Sequence, residues 1–414
     1  MMLPEDAARA LEKLESAGWE SYAVGGCVRD SLLGIEPHDW DLCTAAPPEE
    51  MKKVFAGERV IETGLKHGTL TLLAPSGPIE ITTFRSESGY SDCRHPDRVS
   101  FVRNIHADLA RRDFTVNAMA YSPARGMRDD FGGREDIRKR VIRHVDEETF
   151  RRDPLRAMRA AQFAARFDFA IAPETMAVCR TLELRGLAKE RVMGEVEKAL
   201  MQSEKPSRFF EALREMGQIE PWMREVAALQ GVRQRADAHP EGDAWTHTMR
   251  VVDEAARLRD RAEHPLGLML AALLHDVGKA EAMQEKNGVI HAYGHEMKGM
   301  PLAQHFIRRL TNEKDLCRYV VSMVELHMKP NLYAAQNSRQ RAWNTLFDQS
   351  VCPEDLMLLA KADHLGRANA APYEETEREM GERFAAFQET MARPYVTGAD
   401  LIARGMHPGE EMGK

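Results

Sequence analysis

The hydrophobic pattern of this chain changes near Asp146, and no other sequence feature limits the possible fold as strongly. From Tyr22 to Arg143, short apolar runs rich in Val, Ile, Thr and Phe alternate with Gly and Pro, which is typical of strands. After Asp146, apolar residues recur every three or four positions, which is typical of amphipathic helices. The sequence therefore predicts an α+β chain with a mixed N-terminal part and an almost entirely helical remainder.

Individual runs of residues support this division. The strand-like runs are Val60-Ile61, Thr69 to Leu73, Ile79 to Phe84 and Val141-Ile142. The helical rows are Leu155, Met158, Phe163 and Phe167, then Val192, Val196 and Leu200, then Phe209, Leu213 and Met216. A second break at residues 231–243, where Gly, Pro, Asp and His collect, predicts a linker.

Composition excludes a membrane protein and a disulfide scaffold. The longest apolar run, Leu266 to Leu274, is far shorter than the roughly 20 residues of a membrane span, and the N terminus has no basic segment of the secretory kind. The six cysteines form no CxxC pair, which argues against disulfides and against a cysteine zinc site. We expect a cytoplasmic protein of several domains without a membrane partner.

The distribution of charge indicates a nucleic-acid partner despite an acidic total. The formal net charge is -8, yet residues 101–166 hold 15 Arg and Lys against 10 Asp and Glu. Clustered charge matters more than total charge for binding phosphate backbones. We therefore expect one basic face.

A glycine turn followed by two acids is the first candidate site. Gly25-Gly26 opens a predicted helix after a strand-like run, so backbone N–H groups there could approach a phosphate, with Arg29 as an added cation. Asp39 and Asp41 would share one face of a strand, where paired carboxylates suit two divalent ions for phosphoryl or nucleotidyl transfer. The alternatives are a tight corner and a solvated acidic loop.

Residues 25–34, followed by Asp39-Trp40-Asp41, resemble the catalytic signature of bacterial class II tRNA nucleotidyltransferases, the CCA-adding enzymes, and of related poly(A) polymerases. The resemblance implies a polymerase-β-like head in which Asp39 and Asp41 bind Mg²⁺. It also implies that Gly26 and Arg29 contact the nucleotide. Glu80, on a later strand, is a candidate third carboxylate.

Two further segments of the predicted head resemble the same family. Residues 111–118 contain its Arg-Arg-Asp-Phe motif, which implies that Arg112 and Asp113 discriminate the ribose, although the same residues could simply cap a helix. Residues 90–98 are polar and rich in turn formers, as expected of a mobile loop. A loop at this position resembles enzymes that complete the CCA end.

A third segment could choose the base. Asp153 and Arg156 lie at a predicted helix start, with Arg159 one turn further on the same face. Asp153 could accept from the exocyclic amine of cytosine or adenine while Arg156 donates to a ring nitrogen, so side chains could replace a template. The alternative is a surface ion pair of little energy.

Arg152 and Gln162 depart from the family pattern, which has Glu and Arg at these positions. Three other residues resemble a family motif that braces this helix: Glu190, Arg191 and Glu195.

The helical half contains a possible metal centre. His275-Asp276 ends an apolar run, where buried polar groups need partners. The order of His247, this pair and Asp363 resembles the HD phosphohydrolase superfamily, which implies a divalent transition metal and phosphatase or phosphodiesterase activity. Two further histidines could bind a second metal: His295 and His327.

Together these resemblances imply four segments: residues 1–145 as nucleotidyltransferase head, 146–230 as helical neck and body, 231–370 as an all-α HD domain, and 371–414 as a tail. Residues 395–402 are similar to a family segment that normally continues further, so we expect a shortened C terminus. The expected reaction adds CCA to the 3′ end of tRNA from CTP and ATP. The alternatives are an A-adding enzyme, a poly(A) polymerase, a protein-modifying nucleotidyltransferase and a non-enzymatic RNA-binding module.

Overall fold

A computed structural model describes residues 1–62, 64, 67–88, 98–235, 239–392 and 398–405. The predicted α+β class is confirmed, since a mixed sheet is followed by mostly helical structure. The chain divides into two compact units. The first comprises residues 1–203 and 208–222, and the second comprises residues 204–207 and 223–414. The four predicted segments are finer than this division and stay predictions.

A seven-stranded sheet organises the first unit, in the order β3-β4-β5-β2-β1-β8-β9. Its strands are β1 (Ser21–Val24), β2 (Asp41–Thr44), β3 (Val60–Ile61), β4 (Thr69–Ala74), β5 (Gly77–Thr83), β8 (Ala120–Ser122) and β9 (Gly126–Arg128). Within the described residues of this sheet, β2 and β5 are parallel and the other neighbouring strands are antiparallel. Two small sheets accompany it: β6 (Arg85–Ser88) with β7 (Arg98–Phe101), and β10 (Val141–Ile142) with β11 (Ala170–Ile171). The predicted strand runs are all found.

Alternation along the strands gives the sheet two buried faces. Ala23 and Leu42 belong to one apolar cluster, while Tyr22, Val24 and Cys43 belong to another on the opposite side. Strands β1 and β2 are central in the sheet and are covered by apolar side chains on both faces. This packing fixes the positions of the residues that adjoin these strands.

Helices pack around the sheet and continue the first unit. They are α1 (Glu5–Ser16), α2 (Gly26–Leu32), α3 (Pro48–Val54), α4 (Ile105–Ala110), α5 (Gly133–Lys139), α6 (Glu147–Arg151), α7 (Leu155–Phe167), α8 (Pro173–Cys179) and α9 (Lys189–Gln202). The predicted rows of residues at 155–167 and 192–200 become α7 and α9. Next come α10 (Ser207–Glu215) and α11 (Glu220–Ala227), which contain residues where the units divide.

The second unit consists mainly of helices, one of which, α13 (Pro265–Leu274), is strongly apolar. They are α12 (Ala244–Leu258), α13 (Pro265–Leu274), α14 (Lys279–Ala282), α15 (His295–Leu310), α16 (Lys314–Leu326), α17 (Met328–Ala335), α18 (Gln340–Gln349), α19 (Pro353–Gly366), α20 (Glu374–Ala392) and α21 (Gly398–Ala403). Helix α13 is buried from Gly267 to Leu274, so His275 and Asp276 at its end are also buried. No helix in the described residues is long and apolar enough to cross a bilayer.

One element of the second unit was not predicted. Strands β12 (Gln284–Lys286) and β13 (Val289–His291) form an antiparallel hairpin in a region expected to be all helical. All three residues of β12 are exposed, so the strand has no buried face and leaves no alternating signal in the sequence. The predicted loop at residues 90–98 lies almost entirely outside the described residues, as does Cys93. The other five cysteines are free and buried.

Candidate active sites

The glycine turn follows the end of β1, and the predicted acids lie at the start of its antiparallel neighbour β2. Tyr22 pairs with Cys43 and Ala23 with Leu42, so Val24, the last residue before the turn, lies beside Asp41, the first residue of β2. Gly25 has a φ of 79°, which favours glycine, and it lets the chain turn from β1 into α2. The turn therefore faces the acids across one sheet edge.

Asp41 is the first residue of β2 and lies directly opposite Glu80 on the parallel neighbour β5. Desolvation raises the pKa of Asp41 above its usual value, and the charges of Glu80 and Asp39 raise it further, while Arg112 lowers it. Such a set of carboxylates fits a site for hard divalent cations, which prefer oxygen ligands. Glu80 thus lies beside Asp41, and its role as a third carboxylate stays a prediction.

The expectation that Asp39 and Asp41 share a strand face is wrong for Asp39. Strand β2 begins at Asp41, and Asp39 lies in the preceding loop with a side chain that is 84% exposed. The physical reason is that β1 ends at Val24 and turns at Gly25, so residues before Asp41 have no antiparallel partner. The two carboxylates are nevertheless close enough for Asp39 to affect the pKa of Asp41.

Arg112, two residues after the end of α4, reaches the same edge. Its Nη1 lies only 2.8 Å from the point where a Cβ at Gly25 would be, so the glycine gives the guanidinium room. The buried Asp108 holds this arginine through Nη2 at 3.2 Å and also accepts two hydrogen bonds from Arg111. Sequence reasoning missed Asp108, although its position three and four residues before the arginine pair, on one helix face, was a usable signal.

The carboxylate of Asp113 is buried and accepts hydrogen bonds from groups of the protein. Its Oδ2 accepts from Arg159 Nε at 2.8 Å, and its Oδ1 accepts from the Phe114 N–H and from Asn117 Nδ2. Burial alone would raise the pKa of Asp113, but the positive charges of Arg159 and Arg156 lower it to about 2. Arg29 is also engaged, since its Nη1 donates to Asn117 Oδ1 and its Nε donates to Asp30. Sequence analysis did not single out Asn117.

The predicted base-reading pair lies at the start of α7. Asp153 accepts from the Leu155 N–H and pairs with Arg191 at 2.7 Å, which is the brace expected for this helix. Arg156 donates to the carbonyl oxygens of Thr149 and Arg111. A carboxylate has about four acceptor positions and a guanidinium has five N–H donors, so both side chains keep capacity for a base.

The two departures from the family pattern have different surroundings. Arg152 pairs with Glu148 at 2.8 Å on the same helical segment. Gln162 is buried in α7, and its Nε2 has no hydrogen-bond partner among the described residues. Glu195, on α9, is buried as well, and its Oε1 binds Lys198.

The six predicted residues of the helical half come together as two buried sets. His247, His275 and Asp363 form one, and Asp276, His295 and His327 form the other. Within each set the possible ligand atoms lie within 4.8 Å of one another. Asp276 contacts both sets, with its Oδ2 3.3 Å from His275 Nε2 and its Oδ1 3.2 Å from His295 Nε2.

The histidine rings are oriented as in protein metal sites. Nδ1 of His275, His295 and His327 contacts the carbonyl oxygen of Ala272, Ala292 and Val324, respectively, at 2.7–2.9 Å. Such bonds fix the tautomer and leave Nε2 free to coordinate. His275 Nε2 is buried without a hydrogen-bond partner in the described part of the chain, and burial lowers the pKa of His327 to about 3, so that ring is neutral. These residues fit a divalent metal.

Glu241 completes the orientation of His247, and sequence analysis missed it. Its Oε1 lies 2.9 Å from His247 Nδ1, while His247 Nε2 lies 3.0 Å from Asp363. Burial opposes a charge on His247, but these two carboxylates raise its pKa. Glu241 lies in the segment predicted to be a linker, and nothing local marks it, since its partner is set by tertiary packing.

A cavity of about 430 Å³ opens beside this centre. Asp276, His295 and Asp363 lie on its wall, together with the cationic side chains of Lys279 and Arg367. Lys279 also contacts Asp276 at 2.6 Å. The rim includes Tyr293, which is 82% exposed and stacks on His291 with the ring centroids 4.9 Å apart. The volume of the cavity and the cationic side chains on its wall suit a phosphorylated molecule of nucleotide size.

Three family models match the chain. A Poly A polymerase head domain covers residues 21–143, a probable RNA and SrmB-binding site of polymerase A covers residues 168–229, and an HD domain covers residues 244–368. The fold and the sites thus define a nucleotidyltransferase that also has an HD domain. Both the nucleotidyltransferase domain and the HD domain depend on divalent metal ions.

Proteins of similar sequence show which family of nucleotidyltransferases the chain belongs to. The Multifunctional CCA protein of Chromobacterium violaceum is 40% identical over 316 residues, which is 74% of each chain. The CCA-adding enzyme of Limosilactobacillus fermentum is 45% identical over 201 residues, 48% of this chain and 50% of that protein. The chain belongs to the family of CCA-adding enzymes and multifunctional CCA proteins. The crystal structure of the Bacillus stearothermophilus CCA-adding enzyme in complex with CTP is 28% identical, with a TM-score of 0.68 over 99% of this chain and 90% of that one.

Proposed function

We propose that this protein adds C, C and A to the 3′ end of tRNA from CTP and ATP, without a nucleic-acid template. One observation carries the proposal: the glycine turn, the opposed carboxylates of Asp41 and Glu80, and the Arg112 guanidinium converge at one sheet edge. The relatives named for CCA addition support it.

The residues at this edge have separate tasks in the reaction. Asp39 and Asp41 would hold Mg²⁺, which would lower the pKa of the attacking hydroxyl and neutralise charge on the triphosphate. The backbone at Gly26 and the Arg112 guanidinium orient the triphosphate, with Arg29 and Asp113 close behind them. The tRNA 3′ oxygen then attacks the α-phosphorus, and pyrophosphate leaves.

Asp153, Arg156 and Arg159 act as the template. Cytosine and adenine each offer an exocyclic amine to an acceptor and a ring nitrogen to a donor, which matches the free capacity of Asp153 and Arg156. Uracil and guanine present the reverse polarity and would not hydrogen-bond to these two half-buried side chains. Arg159 keeps this end of α7 fixed to Asp113.

Labelled nucleotides separate this proposal from its alternatives. The protein is incubated with tRNA lacking its 3′ end and with each nucleotide in turn. Incorporation of two C residues followed by one A supports CCA addition. A single A added only after a CC end indicates an A-adding enzyme, and long A tails indicate a poly(A) polymerase. No incorporation overturns the proposal and leaves a protein-modifying enzyme or an RNA-binding module.

A second activity is favoured by the buried centre of the second unit. We propose that His247, His275, Asp276 and Asp363 bind a divalent transition metal, that His295 and His327 complete a second position, and that the site hydrolyses phosphate esters of nucleotides or RNA ends. Two observations support this proposal: His275 Nε2 is buried without a hydrogen bond in the described residues, and Lys279 and Arg367 line the adjacent cavity. Imidazole-rich sites favour transition metals over Mg²⁺. Both activities act on tRNA or nucleotides, so we place the protein in the cytoplasm.

Metal reloading tests the second activity. The protein is stripped with a chelator, reloaded with Ni²⁺, Mn²⁺ or Mg²⁺, and assayed with bis(p-nitrophenyl) phosphate and nucleotide monophosphates. Hydrolysis should return with a transition metal and be lost in Asp276→Ala, while nucleotide incorporation continues. The exposed Asp260 provides a control, since Asp260→Ala should leave hydrolysis unchanged. Equal hydrolysis by Asp276→Ala would overturn this second proposal.

A further inference from the structure

A buried line of hydrogen bonds runs from α7 to α2. Arg159 on α7 donates to Asp113 Oδ2 at 2.8 Å, Asn117 Nδ2 donates to Asp113 Oδ1 at 3.0 Å, and Arg29 on α2 donates to Asn117 Oδ1 at 2.5 Å. Asp113 can only accept and Arg29 can only donate, so the orientation of the Asn117 amide is fixed by its partners.

Aromatic rings of α7 make a second connection to Arg29. Its guanidinium carbon lies 5.1 Å from the Phe163 ring centroid and 4.7 Å from that of Phe167. Arg159, Phe163 and Phe167 follow one another at intervals of four residues, so they form one row along the helix. The same face of α7 therefore holds both Asp113 and Arg29.

The row formed by Arg159, Phe163 and Phe167 lies between the candidate base-reading residues and the glycine turn. The candidate base-reading residues lie at the start of α7, with Asp153 two residues before the helix and Arg156 less than one turn before Arg159. Arg29 lies one turn after the glycine turn that opens α2. Arg29 and Asn117 are only 5% and 7% exposed, so water cannot readily replace a lost partner. A displacement of Arg159 on α7 should therefore displace Arg29 on α2.

We propose that Asn117 is a positioning residue that couples base choice at the start of α7 to the glycine turn that orients the triphosphate. The proposal rests on the nucleotidyltransferase function proposed above. A correct base on Asp153 and Arg156 fixes α7, and through Arg159, Asp113 and Asn117 it fixes Arg29 and the turn before it. A wrong base leaves the line misaligned and the triphosphate poorly oriented.

A double-mutant cycle tests the coupling. The quantity measured is the ratio of kcat/KM for CTP to kcat/KM for UTP, with tRNA lacking its 3′ end. Asn117→Ala should lower this ratio at least tenfold, and Asp153→Ala should also lower it. Because both act through one line, the double variant should lower it little more than Asp153→Ala alone.

Two further variants distinguish coupling from simple support of the fold. Asn117→Asp keeps an acceptor for Arg29 but puts a second carboxylate beside Asp113, so it should also lose discrimination. Gln218 is a matched control, since its buried amide donates to Cys179 and Leu182 in the same unit, away from the line. Gln218→Ala should lower the thermal unfolding temperature but keep the ratio.

The outcomes separate failure of the inference from failure of the proposed function. Additive effects of Asn117→Ala and Asp153→Ala would overturn the coupling, as would an equal loss for CTP and UTP in Asn117→Ala. If Asn117→Ala does not fold, Asn117→Asp carries the same test, and an unchanged ratio in that variant overturns the coupling. If the unmodified protein incorporates no nucleotide, the proposed function itself fails.

Discussion

At the scale of single residues, buried charges in the first unit are paired before any ligand arrives. Asp113 is the clearest example, because Arg159 and the Asn117 amide donate to its carboxylate and the charge of Arg156 also stabilises it. Its pKa is lowered to about 2 from an ordinary value near 3.8, and a shift of this size corresponds to roughly 2 kcal/mol of stability at neutral pH. This carboxylate therefore stabilises the fold as well as the proposed site.

The first prediction concerns the pH dependence of this stability. A lowered pKa contributes stability above the unfolded value near 3.8, and the contribution is lost as the pH falls through about 2. Asp113→Asn should therefore lower the free energy of unfolding by roughly 2 kcal/mol at pH 7, and the difference should shrink between pH 4 and pH 2. Urea unfolding at several pH values measures it. The exposed Asp315→Asn is the control, and a deficit that does not shrink would contradict the interpretation.

The second prediction separates base reading from support by an ion pair. Asp153→Ala should relax the choice of nucleotide more than it lowers overall turnover. The variant also breaks the pair with Arg191, so Arg191→Ala is the necessary control. Single-nucleotide incorporation measures both. If Arg191→Ala relaxes base choice to the same degree, Asp153 acts only as part of the brace.

Sequence reasoning at this scale found residues that carry a local signature and missed those whose partners are distant. The two acids, the glycines and the His-Asp pair stand in recognisable short motifs. Glu241 contacts His247 and the Ala368 N–H, the latter 127 positions away, and no local pattern could reveal that contact. Asn117 stood within a recognised motif, but its role as a bridge depends on where α2 lies.

At the scale of elements, glycines fix the places where two segments approach most closely. The third prediction concerns Gly25. A Cβ there would lie 2.8 Å from Arg112 Nη1, whereas a Cβ at Gly34, which also has a positive φ, would meet nothing within 4 Å. Both alanine variants should lose roughly 1–3 kcal/mol of stability through backbone strain. Only Gly25→Ala should lower kcat/KM for CTP, by at least tenfold, and equal losses in the two variants would contradict this account.

The fourth prediction concerns the contact between α14 and α15. A Cβ at Gly278 would lie 1.9 Å from the His295 carbonyl oxygen, so Gly278→Ala must push the start of α15 away from Asp276. We expect this variant to bind less metal and to lose phosphohydrolase activity. Gly381 lies in α20 with open space around its Cα, so Gly381→Ala should keep both properties and be slightly more stable. Metal content per chain measures the difference, and full metal binding by Gly278→Ala would refute the argument.

The elements also show what periodicity can and cannot predict. Long rows of apolar residues predicted α7 and α9, because burial of one face demands that spacing. The start of β2 was misplaced, because strand length depends on the neighbour, and β1 stops at the glycine turn. The hairpin of β12 and β13 was missed for the complementary reason that its residues have little to bury.

At the scale of the whole molecule, two compact units carry different chemistry in one acidic chain. The class of each was predictable from sequence, since strands, then helices, then clustered histidines follow one another. The basic stretch at residues 101–166 gives the fifth prediction. Affinity for tRNA should fall linearly on a double-logarithmic plot between about 50 and 200 mM salt, because bound phosphates release counterions. Fluorescence anisotropy measures it, and affinity independent of salt would contradict a basic binding face.

The central claim is that the acids beside the glycine turn hold the metal ions for nucleotidyl transfer. Anomalous diffraction from crystals grown with Mn²⁺ and a non-hydrolysable CTP analogue tests it directly. The account predicts manganese signal at Asp39 and Asp41, with the triphosphate against Gly26 and Arg112. Density for the analogue elsewhere, or no manganese at these two carboxylates, would contradict it.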